Sequence, residues 1–393
     1  MSFDTLGLHE SLARALTAAN YTQPTAVQSE AIPAGLAGKD LMVSARTGSG
    51  KTAAFMLPAL TLVLKARAER AAAPRPPKPE GAPADARESR DQRFDRPRTY
   101  AKPTGPRVLV LCPTRELAMQ VAKAAMDYGR YVPGLSVATI VGGVPYPAQL
   151  KALRGPLDIL IATPGRLIDH LGAGKAVLEN IEMLVLDEAD RMLDMGFIDD
   201  IHHIAAATPK ATRQTVMFSA TFSGATGVLA RELLREPQRI EVANHTDTHA
   251  DIEQRLHWAD DFGHKNALLD HILTGREVEQ ALVFTSTQRD AEVLADRLAE
   301  MGHSVDALHG GMPQGRRNRV LANLRSKRVR VLVATDVAAR GIDVPSISHV
   351  INFGLPMKEE DYVHRIGRTG RAGRTGLAVT LAERRDFGMI QRI

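Results

Sequence analysis

Short, nearly unbroken apolar runs recur along this chain, each closed by Gly, Pro, Ser, Thr or Asp, with stretches of helical period between them. The runs are DLMVSA (40–45), RVLVLCP (107–113), SVATIVGG (136–143), DILIATP (158–164), MLVLDEAD (183–190) and TVMFSAT (215–221). A second group follows with ALVFTST (281–287), VRVLVATD (329–336), HVINFG (349–354) and GLAVTL (376–381). RELAMQVAKAAMDY (115–128) and QRDAEVLADRLAEMG (288–302) exemplify the helical stretches. Strands apolar on both faces must be covered on both, and strands alternating with helices give parallel sheets flanked by helices. The pattern predicts an α/β chain with ten strands in two sheets.

A length of 393 residues suits two domains. The polar, aperiodic EVANHTDTHADI (241–252) is the natural boundary. We expect a first domain over 1–242, a linker over 243–252 and a second domain over 253–393. Residues 66–106 differ from both, with eight of the 22 prolines, ten Lys/Arg against six Asp/Glu and few large apolar side chains. Such a stretch cannot bury enough surface to offset its ordering entropy, so a flexible insertion is expected.

Composition excludes several classes. The single cysteine, Cys112, rules out a disulfide framework and a cysteine metal site. Histidines 202 and 203 diverge as neighbours on a helix, and no histidine metal site is expected. The opening MSFDTLGLHESL does not read as a signal peptide, and no run approaches the roughly 18 apolar residues of a membrane span. A reducing cytoplasm is the expected compartment. The net charge of +5 hints at a polyanionic partner, but residues 66–106 supply +4 of it, so any such surface elsewhere must be a local patch.

ARTGSGKT (45–52) lies between a strand and the helical AAFMLPALTLVLK, the setting a phosphate-binding loop requires. Ala45 stands where the general pattern has its leading glycine. Thr47, Gly48, Ser49 and Gly50 can wrap backbone N–H groups around phosphate oxygens, aided by the helix N-terminus. Lys51 can reach the β- and γ-phosphates, and the Thr52 hydroxyl can sit on Mg²⁺. The run MLVLDEAD ends a buried strand in Asp187, where open α/β sheets bind ligands. Asp187 would hold Mg²⁺ through water, and Glu188 would orient or deprotonate the attacking water. A phosphate loop with a strand-end acid says NTPase and no more.

The literal Asp187-Glu188-Ala189-Asp190 and its neighbours make the chain resemble the DEAD-box RNA helicases of superfamily 2 over essentially its whole length. The opening MSFDTLGL is most similar to the bacterial RhlE-like branch. The resemblance implies two tandem RecA-like domains, ATP and Mg²⁺ as cofactors, and hydrolysis in the cleft between the domains. Phe3, Tyr21 and the PTAVQ ending at Gln28 match the amino-terminal signature, in which the aromatic stacks on adenine and the glutamine reads its edge. Asn20 stands where a glycine usually precedes the aromatic. Pro113, Thr114 and Arg115, then Gly142 and Gly143, then Thr163, Gly165 and Arg166 match first-domain RNA contacts, and helix N-termini and glycine backbones suit phosphates. Ser219 and Thr221 of SAT match the hydroxyls that couple the acid motif to domain closure.

In the second domain Thr285, Gln314, Arg317 and Thr335 match RNA-facing positions. Gly341 and Asp343 fall in the motif that also touches nucleotide, Asp343 on the ribose. In HRIGRTGRAGR (364–374), Arg368 and Arg371 match arginine fingers for the γ-phosphate, and His364 and Arg365 match residues tying this motif to the cleft. The resemblance implies RNA-stimulated ATPase activity driving local duplex unwinding or RNP remodelling, with RNA gripped largely independently of sequence. By linkage, ATP and RNA must then strengthen each other's binding equally. An ATP-gated RNA clamp or scaffold and a DNA-directed helicase of the same superfamily are the alternatives. The insertion reads as a solvated loop ahead of a basic arm that touches RNA. A monomeric core without membrane contact is expected, with the ribosome or RNA-degradation machinery as possible partners.

Overall fold

The computed structural model describes residues 2–45, 49–72, 105–222, 224–241, 251–339, 342, 344, 346–370 and 374–392. Two units emerge, Met1–Val242 and Ala243–Ile393. The elements of the first are α1 (Glu10–Ala18), α2 (Ala26–Leu36), β1 (Leu41–Ser44), α3 (Lys51–Ala72), β2 (Val108–Leu111), α4 (Arg115–Tyr128), β3 (Val137–Ile140) and α5 (Tyr146–Arg154). They continue with β4 (Ile159–Ala162), α6 (Pro164–Gly172), β5 (Met183–Leu186), α7 (Ala189–Asp194), α8 (Ile198–Ala206), β6 (Gln214–Ser219), α9 (Gly224–Leu233) and β7 (Gln238–Glu241).

The seven strands form one parallel sheet in the order β3-β4-β2-β5-β6-β1-β7. Alternation along β2 shows why these runs are apolar throughout. Val108 and Val110 enter one core beside α3 and α4, while Leu109 and Leu111 enter another on the opposite face. Local chemistry sets the helix starts. Thr25 and Gln28 form a reciprocal capping box at α2, and the Thr114 hydroxyl accepts from Leu117 N–H at α4.

The second unit contains β8 (Ile252–Ala259), α10 (Phe262–Leu273), β9 (Ala281–Thr285), α11 (Gln288–Glu300), β10 (Val305–Leu308), α12 (Gln314–Arg325) and β11 (Val331–Thr335). It ends with α13 (Asp336–Ala339), β12 (His349–Asn352), α14 (Glu359–Ile366), β13 (Gly376–Glu383) and α15 (Phe387–Ile390). Its six strands are also all parallel, in the order β10-β11-β9-β12-β13-β8, with apolar cores on both faces.

Thirteen strands are present among the described residues rather than the expected ten. The three additions, β7, β8 and β10, are all edge strands. An edge is only partly covered, so QRIE, IEQRLHWA and VDAL carry polar residues where the central strands cannot. Two boundaries also move. Helix α3 runs to Ala72, so the expected insertion at 66–106 begins inside a helix. Its stretch 73–104 lies outside the described residues, as does 242–250 of the boundary region. Strand β8 starts at Ile252, inside the expected linker.

Candidate functional site

Sheet order sorts the chemistry of the first unit. Neighbouring strands β5, β6 and β1 deliver the acid motif, the SAT turn and the phosphate loop side by side at their carboxyl ends, where open parallel sheets take ligands. The Ala45 N–H donates to the Ser219 carbonyl at 3.0 Å, joining loop to turn. Gly50 has φ +89°, and a β-carbon there would collide with the Gln28 amide. Lys51 is buried and opens α3, with Thr52 beside it. Ser49 offers its carbonyl to the Thr25 hydroxyl at 2.8 Å. Thr47 and Gly48 lie outside the described residues.

Gln28, expected to read adenine, is a strut for this loop. Its Nε2 donates to Gly50 O at 3.1 Å and its Oε1 accepts from Thr25 N–H at 2.9 Å. Each amide atom retains one further bonding position. Tyr21 is 41% exposed and held edge-on by Phe3 and Tyr128, with ring centroids 6.4 and 5.8 Å away. The Tyr21 and Tyr128 hydroxyls are 3.3 Å apart.

Asp187 follows β5 with only 2% of its surface exposed, and its Oδ1 has no partner among the described residues. Burial pushes this carboxyl up to about 6, against the pull of Lys51 and with added repulsion from Glu188. A buried acceptor without a donor, beside a lysine, has the chemistry of a cation-binding carboxylate, and Mg²⁺ fits this donor set. Glu188 caps α7 at φ +54°, a left-handed conformation costing on the order of 1–3 kcal/mol for a residue with a side chain. Its Oε2 pairs with Arg191 Nη1 at 2.7 Å, both side chains buried.

The SAT turn is laced to the acid motif. Asp190 N–H donates to Ser219 Oγ at 3.4 Å, Ala220 N–H donates to Asp190 Oδ2 at 3.1 Å, and the Ser219 hydroxyl donates to Thr221 O at 2.6 Å. Cys112 is fully buried nearby. Burial first, then Asp187 and Glu188, push its thiol up, so it stays neutral and unreactive.

The other half of the sheet, β3-β4-β2, brings together the expected RNA contacts. Buried Pro113 and Thr114 precede α4, which starts at Arg115. Gly142 has open space around it, whereas Gly143 (φ +67°) lies so close to the Arg115 guanidinium that a β-carbon would clash. Thr163 precedes α6, which contains Gly165 and Arg166. Arg166 donates from Nη1 to Val144 O at 3.2 Å and pairs through Nε with Asp169 at 3.3 Å. Helix α4 runs from Arg115 in this half to Tyr128 against Tyr21, about 21 Å at 1.5 Å per residue.

In the second unit β10, β11 and β9 are neighbours, and their carboxyl ends bear the 309–317 turn, Thr335 and Thr285. The Thr285 hydroxyl donates to Thr287 O at 3.3 Å, Gln314 Nε2 donates to Asn318 Oδ1 at 2.9 Å, and Arg317 Nη1 donates to His309 O at 3.2 Å. Arg365 is almost wholly buried. It donates to Asn352 Oδ1 at 3.2 Å and lies over the Phe284 ring, 4.8 Å from its centroid. Arg368 is also buried, donating from Nε to His364 O at 3.0 Å and from Nη1 to Ile342 O at 3.1 Å. Gly341, Asp343 and Arg371 lie outside the described residues.

Sequence reasoning missed Tyr128 and Arg191 as parts of these sites, and Asp336, whose carboxylate pairs with Arg365. Tyr128 sits on the apolar stripe of α4 and could have been placed in the core, but its pairing with Tyr21 joins residues 107 apart. Arg191 stands three residues after Glu188, close enough across the first turn of α7 for the two side chains to pair.

The family description "DEAD/DEAH box helicase" matches residues 25–227, and "Helicase conserved C-terminal domain" matches 263–373. ATP-dependent RNA helicase SrmB of Escherichia coli (strain K12) is 42% identical over 393 residues, covering 100% of this chain and 81% of that protein. ATP-dependent RNA helicase DeaD of the same organism is 40% identical over 392 residues, covering 100% of this chain and 56% of its own length. Among solved structures, S. cerevisiae Dbp5 bound to RNA and ADP BeF3 superposes with a TM-score of 0.81 at 28% identity, covering 99% of this chain and 92% of that one. A DEAD box protein from the hyperthermophile Methanococcus jannaschii gives 0.52 at 33% identity, covering 100% and 95%.

Proposed function

The chain belongs to the DEAD-box ATP-dependent RNA helicases, and from that premise we propose how its residues divide the work. The observation that carries the proposal is the sorting of the first sheet, with phosphate-side loops on β5, β6 and β1 and RNA-side loops on β3, β4 and β2. One contiguous sheet end thus offers two ligand surfaces.

On the phosphate side, residues 45–52 take the triphosphate, with Lys51 supplying charge. Asp187, through water, and Thr52 would hold Mg²⁺, which when bound neutralises charge on the phosphate oxygens. Glu188, kept in place by Arg191, orients the attacking water and accepts its proton. Tyr21 stacks on adenine, and Gln28 uses its remaining bonding positions to read the base edge. Ser219 and Thr221 relay the state of this side. On the RNA side, Thr114, Arg115, Gly142, Gly143, Thr163, Gly165 and Arg166 contact backbone phosphates and sugars, as Thr285, Gln314, Arg317 and Thr335 do on the second unit. Such contacts carry little sequence information and weaken with salt.

The second unit supplies Arg368 and Arg371 for charge on the transferring phosphate and Gly341 and Asp343 for the nucleotide. Arg368 donates from Nε and Nη1 within its own unit, so the finger role calls for a rearrangement of the side chain. RNA engaging both units would unite the two half-sites, which makes hydrolysis RNA-dependent. We assign local strand separation or RNP remodelling to this cycle. We place it in the cytoplasm on a monomeric core, with ribosomal or RNA-degradation assemblies as partners. The opening residues support a place beside the RhlE-like members.

The test is the ATPase rate of the full chain alone, with single-stranded RNA and with DNA of equal length, beside release of a labelled strand from an RNA duplex. Stimulation by RNA and strand release are expected. Equal stimulation by DNA, or none by RNA, would overturn the reading.

A further inference from the structure

We infer that Gln149 is a positioning residue for RNA, holding the Gly142-Gly143 turn in its binding shape without touching the ligand; this rests on the RNA-binding reading above. Gln149 lies on α5 and is 2% exposed. Its Nε2 donates to Val141 O and Val144 O, each at 3.0 Å. These two carbonyls bracket the glycine pair, and both amide hydrogens are spent on them. The Oε1 is buried with no partner among the described residues. A buried acceptor left unpaired is costly, so the position asks specifically for a side chain with two N–H groups. Filling space alone would be met by Met or Leu.

The turn so held is where three chain segments meet. Gly143 is left-handed, which disfavours any side chain there, and it lies against the Arg115 guanidinium. Arg166 Nη1 donates to the same Val144 carbonyl at 3.2 Å. Helix α5 is in turn fixed to α6, which carries Arg166, by the Tyr146 ring stacked on His170 at 4.3 Å and 10°. Releasing Val141 and Val144 from Gln149 frees the turn to change shape while leaving the phosphate loop, on the other half of the sheet, as it was.

The experiment uses the full chain with Gln149→Met, which keeps length and removes both donors, and Gln149→Glu, which sets an acceptor against two carbonyls. RNA affinity is read by titrating a labelled poly(U) oligonucleotide and by the RNA concentration giving half-maximal ATPase stimulation. Both should weaken about tenfold in Gln149→Met, and further in Gln149→Glu. ATP affinity without RNA and turnover at saturating RNA should match the parent in Gln149→Met, while the unfolding midpoint should fall only modestly, because the Val141 carbonyl loses its donor and the Val144 carbonyl keeps Arg166. An unchanged RNA titration overturns the inference. So does a joint loss of ATP affinity, RNA affinity and stability, which marks ordinary core packing. Arg115→Ala serves as the reference. If it too leaves RNA binding unchanged, the RNA-binding reading has failed; if it weakens binding while Gln149→Met does not, only the role of Gln149 has failed.

Discussion

Arg365 grips Asp336 side-on, with Nε 2.6 Å from Oδ1 and Nη2 2.7 Å from Oδ2. This pair bolts the basic motif on α14 to the start of α13, directly after β11. The guanidinium is nearly inaccessible, and it also serves the Asn352 amide, the Gly354 carbonyl and the Phe284 face. Arg365 is buried while the Asp336 side chain is 25% exposed, so losing the guanidinium leaves a partly solvated carboxylate and strips a donor from the Asn352 and Gly354 oxygens, at a cost of about 1–3 kcal/mol. Arg365→Ala should therefore lower the stability of the second unit by that order in urea unfolding. Arg365→Lys should recover only part of it, because an ammonium cannot reproduce two parallel bonds. Unfolding curves that overlay the parent would show the pair to be energetically idle.

Arg368→Ala should remove RNA-stimulated hydrolysis and spare ATP binding. Supplied arginines are worth about 10³–10⁵ in rate in other NTPases, so a fall of at least the lower figure is expected in a coupled ATPase assay. Normal turnover would return Arg368 to the purely local role its bonds to His364 and Ile342 describe.

Glu188→Gln should cut turnover by about 10²–10⁴ while the protein still binds ATP and RNA together. The amide keeps the shape of the side chain but weakens its pairing with Arg191, so slow release of RNA in the presence of ATP is the second readout. A variant hydrolysing at the parental rate would remove Glu188 from the chemistry.

Gly50→Ala should lose nucleotide affinity by about tenfold or more, for two reasons that add. The φ of +89° strains any side chain, and the new carbon would displace the Gln28 amide from the Gly50 carbonyl. Titration with a fluorescent ATP analogue reads this, and undiminished binding would show that the loop tolerates a different shape.

How much of this was legible beforehand depended on whether the cause was local. Central strands such as β2 and β5 are buried on both faces, so VLVL and MLVL announce themselves. Asp187 could be singled out because it ends such a run, and Lys51 because it follows the glycine-bearing loop between such a run and a helix. Edge strands such as β8, with six successive exposed residues, escaped the same reasoning. Sheet order was beyond reach, because which strands pair is decided by contacts distant in the chain. That the phosphate-loop and acid motifs gather on one half of a sheet end, and the motifs expected to face RNA on the other, therefore appeared only in the fold. Gln28 was placed at the nucleotide, yet its bonds to Gly50 and Thr25 were not foreseen, and Gln149 looked like any amide in a helical stretch.

Strand β1 carries the chain into the phosphate loop, yet its strand neighbours among the described residues are β6 and β7, which begin at Gln214 and Gln238. On an emerging polypeptide, residues 41–44 must wait for some 170 more before any ladder can form around them. Nucleotide therefore cannot template the early stages of folding, because its receptor is among the last features of this unit to exist. Such distant pairing makes for slow assembly, and a product released before β6 would present Lys51 and Thr52 with no sheet to hold them.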